Sequence, residues 1–272
     1  MKTHEILGIK KSQIISPYTI LGEIDNYGAK KIILPSGSKN FDDILGGGFS
    51  LRKNYVIFGS NNTGKTQLCH QLCVQAYKYF QKLKIENLEG SIFYFDTENT
   101  FRPERIKELS NLSDNDDDGV LKTIYVSKIM GNSAFIFALN GFEDMILKNR
   151  VSILLIDSIN NHLNADLGNK KIPFNKTRRV FLEILTKINN LSRKYNIIVI
   201  LTAQVAANFS KNQTIRETPV GNQFLNHYFS EYVYLSNVGR DTKIAQLVNS
   251  STFQEKRFSY KISSNGIQDL HI

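Results

Sequence analysis

Along the chain, short unbroken runs of apolar residues alternate with longer stretches in which apolar positions recur every three or four residues. The runs NYVIF (Asn54 to Phe58), SIFYF (Ser91 to Phe95), SILLI (Ser152 to Ile156) and IIVIL (Ile197 to Leu201) have the length and composition of strands buried on both faces. A further strand is predicted near Thr123 to Val126. Between these, the helical period predicts helices over about Lys65 to Leu83, Pro103 to Leu112, Ala134 to Lys148 and Asn175 to Tyr195. Strands alternating with helices imply an α/β fold, a mainly parallel sheet flanked by helices. After Tyr228 the pattern changes. EYVYLS, KIAQLVN and RFSYKIS alternate apolar and polar positions between Gly and Asn turns, which predicts an antiparallel C-terminal extension of the same sheet.

Upstream, SGSKNFDDILGGGF (Ser36 to Phe49) carries Phe41, Ile44 and Leu45 at helical spacing and reads as one short helix stopped at Gly46. Residues 1–35 mix apolar pairs with Gly and Pro and show no helical period, so short strands or an extended arm are expected there, ahead of a core at 36–272. The acidic run Ser113 to Gly119 reads as a solvated loop.

Composition narrows the class. A length of 272 residues suffices for a sizeable core. Two cysteines cannot build a disulfide framework, no stretch approaches the roughly 18 uninterrupted apolar residues of a membrane span, and the N-terminus lacks the apolar run of a signal peptide. The expectation is an intracellular soluble protein with no membrane partner. A net charge of +9 makes a polyanion a candidate partner, provided the charge is concentrated.

The sharpest chemical signal is GSNNTGKT, residues Gly59, Ser60, Asn61, Asn62, Thr63, Gly64, Lys65 and Thr66, between a buried strand and an amphipathic helix. This is the context in which G-x-x-x-x-G-K-[ST] forms a phosphate-binding loop. Glycines let the backbone wrap an anion, N–H groups and the helix N-terminus face it, Lys65 reaches the outer phosphates and the Thr66 hydroxyl can bind Mg²⁺. Asp157 ends SILLI, where a carboxylate at the C-terminal edge of a parallel sheet can hold the metal through water. Glu98 follows SIFYF at an equivalent strand end. It is either a general base for an attacking water or a helix-capping acid. Cys69 and Cys73, four apart on one helix, are half a zinc site without a complement and read as small core residues, while His70 and His162 read as surface or capping histidines.

Taken together, GSNNTGKTQLCHQL, YFDTENTFRPERI, ILLIDS and ILTAQV resemble the successive motifs of the RecA-type recombinase ATPases, in the version of archaeal RadA and its eukaryotic relatives. FDTENTFRPERI is the most specific of them. The similarity runs from about Ser36 to Ile267. It implies a RecA-like P-loop core that binds ATP and Mg²⁺ through Gly59 to Gln67, with Thr66 and Asp157 on the metal side. It further implies that Glu98 activates water, that Arg105 lies against the adenine, and that Gln204 senses the γ-phosphate and passes its state to the loop that follows. Lys65, Glu98 and Gln204 would then be the catalytic set.

The same resemblance implies single-stranded DNA as a partner, a possible homo-oligomer, and a place in homologous recombination. The protein would be cytoplasmic and nucleoid-associated in an archaeon, or nuclear in a eukaryote. Three departures point to an accessory paralogue of a RadA-type recombinase. The first 35 residues are too short for the helix-hairpin-helix domain of the active enzymes. NADLGNKKIPFNKTRR (Asn164 to Arg179) stands where they carry a Gly-Arg-Gly signature. VNSSTFQEK (Val248 to Lys256) replaces a proline-containing cap over the neighbouring subunit's ATP, with Asn249 in place of an aspartate.

Charge is concentrated where this resemblance places the DNA-facing loops. Between Asn161 and Arg216 there are ten basic residues against Asp166 and Glu183, net +8 of the chain's +9. Lys170, Lys171, Lys176, Lys211 and Arg216 are the candidates for phosphate contact, with Phe174 and Phe209 near enough to stack bases. The alternative is a solvated helix face, since Arg179, Glu183 and Lys187 are spaced i, i+4. Four readings stand at this point: a DNA-stimulated ATPase, an ATP-binding adaptor without significant hydrolysis, the strand-exchange enzyme itself, and a P-loop kinase or clock-type ATPase that ignores DNA. FDTENTFRPERI and the basic segments disfavour the last.

Overall fold

The two apolar patterns resolve into one mixed sheet with helices on its faces. The computed structural model describes residues 32–83, 90–110, 119–169, 171–208 and 215–270. The N-terminal arm up to residue 31, Lys170, Phe209, Lys211 and most of the acidic run lie outside the described residues.

From Ile33 onward the chain forms one compact unit. In chain order its strands are β1 (Ile33–Leu34), β2 (Phe49–Ser50), β3 (Asn54–Gly59), β4 (Ser91–Asp96), β5 (Ile124–Lys128), β6 (Val151–Asp157), β7 (Ile198–Ala203), β8 (Val205–Ala207), β9 (Glu217–Pro219), β10 (Glu231–Asn237), β11 (Lys243–Asn249), β12 (Lys256–Ser263) and β13 (Gly266–Asp269). The helices are α1 (Lys39–Ile44), α2 (Lys65–Leu83), α3 (Pro103–Ser110), α4 (Asn132–Asn149), α5 (Asn161–Gly168), α6 (Phe174–Tyr195) and α7 (Asn222–Leu225).

Nine strands form the main sheet in the order β13-β12-β11-β10-β3-β7-β6-β4-β5. β10, β3, β7, β6, β4 and β5 are parallel neighbours, and β11, β12 and β13 continue antiparallel. EYVYLS therefore corrects the expectation for the tail. It enters the sheet parallel to β3, with Glu231 opposite Tyr55, and the antiparallel extension begins one strand later, at β11. The chain reaches β10 from α7 and so enters at the same end as the other parallel strands; only the turn after Asn237 reverses its direction.

β4, β6 and β7 are buried along their whole length, as strands covered on both faces must be. Val56, Phe58, Phe93, Phe95, Leu154, Ile156, Val199 and Leu201 face one core with Phe135, Leu139 and Phe142 of α4 and Phe181, Ile184 and Ile188 of α6. The residues between them in sequence point the other way, where α2 packs on β4 and β6. Cys69 and Cys73 of α2 are fully buried there, and burial pushes both thiols up. Truncating Phe142, which has no exposed surface, to Ala should cost about 3–5 kcal/mol. No helix among the described residues is long and apolar enough to cross a membrane.

One consequence of the parallel register matters most. The C-terminal ends of β3, β4, β6 and β7 (Gly59, Asp96, Asp157 and Ala203) all fall on the same edge of the sheet, where α/β folds bind ligands.

Candidate functional site

Beyond β3 the chain turns through Gly59–Gly64 into α2. Gly64 holds φ +104, and a Cβ there would lie 2.7 Å from Ile262 Cδ1. At Gly59 a Cβ would lie 2.0 Å from the Leu235 carbonyl oxygen. These two positions demand glycine. Thr63 Oγ1 donates to the Ser60 carbonyl (2.9 Å), and Tyr260 Oη of β12 donates to the Thr63 carbonyl (2.5 Å), so the loop is fixed from inside and from the antiparallel extension. Lys65 folds back over it, its Nζ donating to the carbonyls of Gly59 (2.8 Å) and Ser60 (3.0 Å). Burial holds its pKa below the ordinary lysine value, against the pull of Asp157 and Glu98.

Asp157, only 1% exposed, sits at the hub of a hydroxyl cluster. Its Oδ2 accepts from Thr66 Oγ1 (2.7 Å), Tyr94 Oη (3.0 Å) and Thr100 Oγ1 (3.3 Å), and its Oδ1 accepts from Thr202 Oγ1. The loop hydroxyl and the strand carboxylate paired in the sequence reading are thus in direct contact. Glu98 lies two residues beyond the end of β4. Its Oε1 accepts from Ser158 Oγ (2.6 Å) and from Gln204 Nε2 (2.8 Å), so both contacts fall on one oxygen.

Gln204, directly after β7, is held from three sides. Its N–H donates to Asn160 Oδ1 (2.8 Å), its carbonyl accepts from Asn160 Nδ2 (2.8 Å), and its Oε1 accepts from Asn164 Nδ2 (2.8 Å). Asn160 Nδ2 also donates to the Val220 carbonyl (3.0 Å), tying both ends of the β8–β9 hairpin. A chain of contacts therefore runs from Glu98 through Gln204 to Asn164 on α5.

These groups open on a cleft of about 780 Å³ lined by Asn61, Asn62, Gly64, Lys65, Thr66, Gln67, Glu98, Arg105, Glu108 and the Ile262 to Ser264 turn. Arg105 borders its far end. Its guanidinium donates to Gln67 Oε1 (2.8 Å), Glu108 Oε2 (2.8 Å) and the carbonyls of Ser263 (2.7 Å) and Ser264 (2.8 Å). His70 is a buried residue and not a surface one. Its Nε2 accepts the Arg102 N–H (3.1 Å), which places the proton on Nδ1, and burial lowers its pKa to about 4. It clamps α2 to the FRPER segment.

Residues 29–270 match the sequence family described as Rad51. The chain belongs to the Rad51 family. Among its relatives is the meiotic recombination protein DLH1 of Candida albicans, 29% identical over 272 residues, which spans 98% of this chain and 82% of the relative. The DNA repair and recombination protein RadA of Aeropyrum pernix is 29% identical over 248 residues, 91% of this chain and 76% of the relative. The sheet with its parallel centre and antiparallel extension is accordingly a RecA-like core.

In this Rad51-family chain the basic residues divide into two groups. Lys171 is exposed in the short connection after α5, and Arg216 is exposed just before β9. Lys176 lies on the first turn of α6, within the helix expected from about Asn175, because Pro173 takes the N-cap position and the helix begins at Phe174. The segment read as a loop is further shortened by α5, which holds Asn161–Gly168 in a helix. Lys187 and Lys194 face other partners on neighbouring helix surfaces, Asn140 Oδ1 (2.7 Å) and Glu143 respectively, and belong to a solvated helix face.

The residues missed from sequence are Ser158, Asn160, Asn161 and Asn164 around Gln204, and Tyr94, Thr100 and Thr202 around Asp157. One signal was available: DSINNHLN and LTAQ place polar side chains directly after buried strand ends, where the sheet edge binds ligands.

Proposed function

We propose that this chain is an ATP hydrolase stimulated by single-stranded DNA, acting in homologous recombination and DNA repair as an accessory paralogue of a RadA-type recombinase. The observation that carries this is the juxtaposition of Thr66 with Asp157 (2.7 Å) and of Gln204 with Glu98 (2.8 Å) on one sheet edge. The residues fit ATP with Mg²⁺. The Gly59 and Gly64 cradle leaves no room for a side chain, and the buried Lys65 ammonium has carbonyl partners that phosphate oxygens can replace. Thr66 and Asp157 would hold the metal, which when bound supplies charge neutralisation at the phosphates. Lys65 would bind the outer phosphates, Gln67 would belong to the wall of the cleft, and Arg105 would flank the base. Glu98 would orient a water and take its proton at Oε2, while Gln204 holds Oε1 in place.

The accessory role is supported by the turn after β11. Asn249 stands where the resemblance calls for an aspartate, no proline follows, and the turn is bonded to its own chain. Ser251 Oγ donates to Glu231 Oε1 (2.8 Å) and Lys53 Nζ to Thr252 Oγ1 (3.1 Å). Lys170, Lys171, Lys176, Lys211 and Arg216 would pair DNA phosphates. Phosphate release from ATP, measured with and without single-stranded DNA, tests the proposal. Tight ATP binding without turnover in either condition would favour the adaptor reading. Long regular filaments on DNA in electron micrographs would favour the strand-exchange enzyme.

A further inference from the structure

Tyr232 of β10 is 3% exposed, and its hydroxyl has no hydrogen-bond partner among the described residues. Leaving a buried hydroxyl unpaired destabilises a fold, so its presence points to a partner from outside the chain. Tyr232 belongs to the wall of a cavity of about 400 Å³ that shares no residue with the ATP cleft. The sheet supplies the aromatic side, where the Phe58 and Tyr232 rings meet edge to face with centroids 6.3 Å apart. Asn222 at the start of α7 and Asn226 at its C-cap, one turn apart, line a second side, and Glu217 of β9 and Glu255, just before β12, add two carboxylates. Charge sets this cavity apart. In a chain of net charge +9 no Lys or Arg lines it, and among the described residues neither carboxylate has an ion pair. Each is held by a neutral donor, Glu217 Oε2 by Tyr234 Oη (3.2 Å) and Glu255 Oε1 by Gln246 Nε2. Their sequence neighbours Arg216 and Lys256 line an adjacent groove.

We propose that this cavity accepts a guanidinium group, presented by an arginine of a protein partner. Its walls offer acceptors on several sides: a hydroxyl, two carboxamides and two carboxylates. A guanidinium suits such a set, because its five N–H donors spread in one plane and its face can lie on an aromatic ring. A divalent metal fits less well, since no three His, Cys, Asp or Glu side chains among the described residues are grouped to hold one. The two carboxylates also favour an arginine within a chain over the free amino acid, whose own carboxylate they repel. Arginine in a desolvated pocket is among the side chains that most often anchor a protein interface.

The test is isothermal titration calorimetry of the full chain, at fixed ionic strength, with a blocked Ala-Arg-Ala peptide and with the same peptide carrying citrulline, the uncharged isostere of arginine. The arginine peptide is expected to bind at least about tenfold more tightly, since hydrogen bonds from an ionised donor exceed neutral ones in strength. Glu217→Gln should narrow that preference, and Tyr232→Phe should weaken binding of the arginine peptide about fivefold. Ligand-free Tyr232→Phe should at the same time unfold at an equal or higher urea concentration than the wild type, because it loses a hydroxyl that had no partner. A lower midpoint would mean that the hydroxyl is already satisfied within the chain and overturns its role toward a ligand. No binding of the arginine peptide at about 10 mM, or equal binding of the citrulline peptide, overturns the site. A preference unmoved by either variant places binding elsewhere and overturns it too. Free arginine bound as tightly as the blocked peptide overturns a protein partner as the source.

Discussion

At the C-terminal edge of the parallel strands every candidate catalytic side chain is hydrogen-bonded within the site, whereas around α5, α6 and the β8–β9 hairpin the described candidate phosphate contacts stand exposed on separate elements. Asp157 alone accepts from four hydroxyls, and Glu98 and Gln204 share a bond. Lys171, Lys176 and Arg216 come from a connection, a helix start and the loop side of a hairpin. On the proposed function, the difference follows from what each region would meet. A phosphoryl group needs charges fixed before it arrives, and a buried hydrogen-bonded network supplies that at the cost of tolerating little change. A flexible polyanion needs only a positive surface, and each contact then contributes separately.

If this contrast holds, single substitutions at the sheet edge should be severe and those on the basic side graded. The largest effect is expected from Lys65→Ala. It removes at least two charge-assisted bonds worth roughly 1.5–3 kcal/mol each, so ATP affinity read by calorimetry should fall about 10²-fold or more. Glu98→Gln keeps the shape of the site but not the base. ATP should bind as before while single-turnover cleavage slows by roughly 10². Equal loss of binding in both variants would erase the distinction between a phosphate ligand and a base.

On the basic side, joint replacement of Lys170, Lys171, Lys211 and Arg216 by Ala should weaken DNA binding without touching ATP affinity. The slope of log K against log salt should flatten by about 0.7 for each phosphate contact removed. An unchanged slope would move the DNA surface elsewhere. The smallest effect on turnover is expected at His70, whose part is structural. Its depressed pKa keeps it neutral in the folded state, so its stabilisation is complete above the unfolded value near 6.5 and is lost as pH falls toward about 4, up to about 3 kcal/mol. Asp42, raised to about 6 by burial, acts in the opposite direction, strengthening the fold as pH falls through 6. Urea midpoints of wild type and His70→Asn between pH 6.5 and 4 separate the two, since only the wild type carries the acid loss due to His70.

The sequence and the structure agree where a long-range position follows from a local pattern. Buried strand runs fix which residues fall at strand ends, and parallel strands bring those ends to one edge, so Lys65, Asp157 and Glu98 could be grouped from the pattern alone, while Gln204 joined them only through the family resemblance. The polar network that orients them was not legible. Gln204 and Glu98 are 106 positions apart, and Asn, Ser and Thr are so common in turns that nothing marks Asn160 or Thr202 as partners. α5 was missed because NHLNADLG is rich in poor helix formers and offers one buried anchor, Leu163. The parallel placement of β10 escaped because alternation reveals a half-buried strand but not its direction.

The claim that joins the two regions is that Gln204 links Glu98 to the helix leading into the first basic segment, through Asn164. Its most direct test is ATP turnover at saturating nucleotide as single-stranded DNA is titrated, for the wild type and for Asn164→Ala. The wild-type rate should rise and saturate with DNA, and the variant should keep its ATP affinity and its basal rate within about threefold while losing the rise, since the Gln204 amide then loses one of its holding bonds, worth roughly 1 kcal/mol. A wild-type rate indifferent to DNA, or full stimulation in Asn164→Ala, would contradict the coupling.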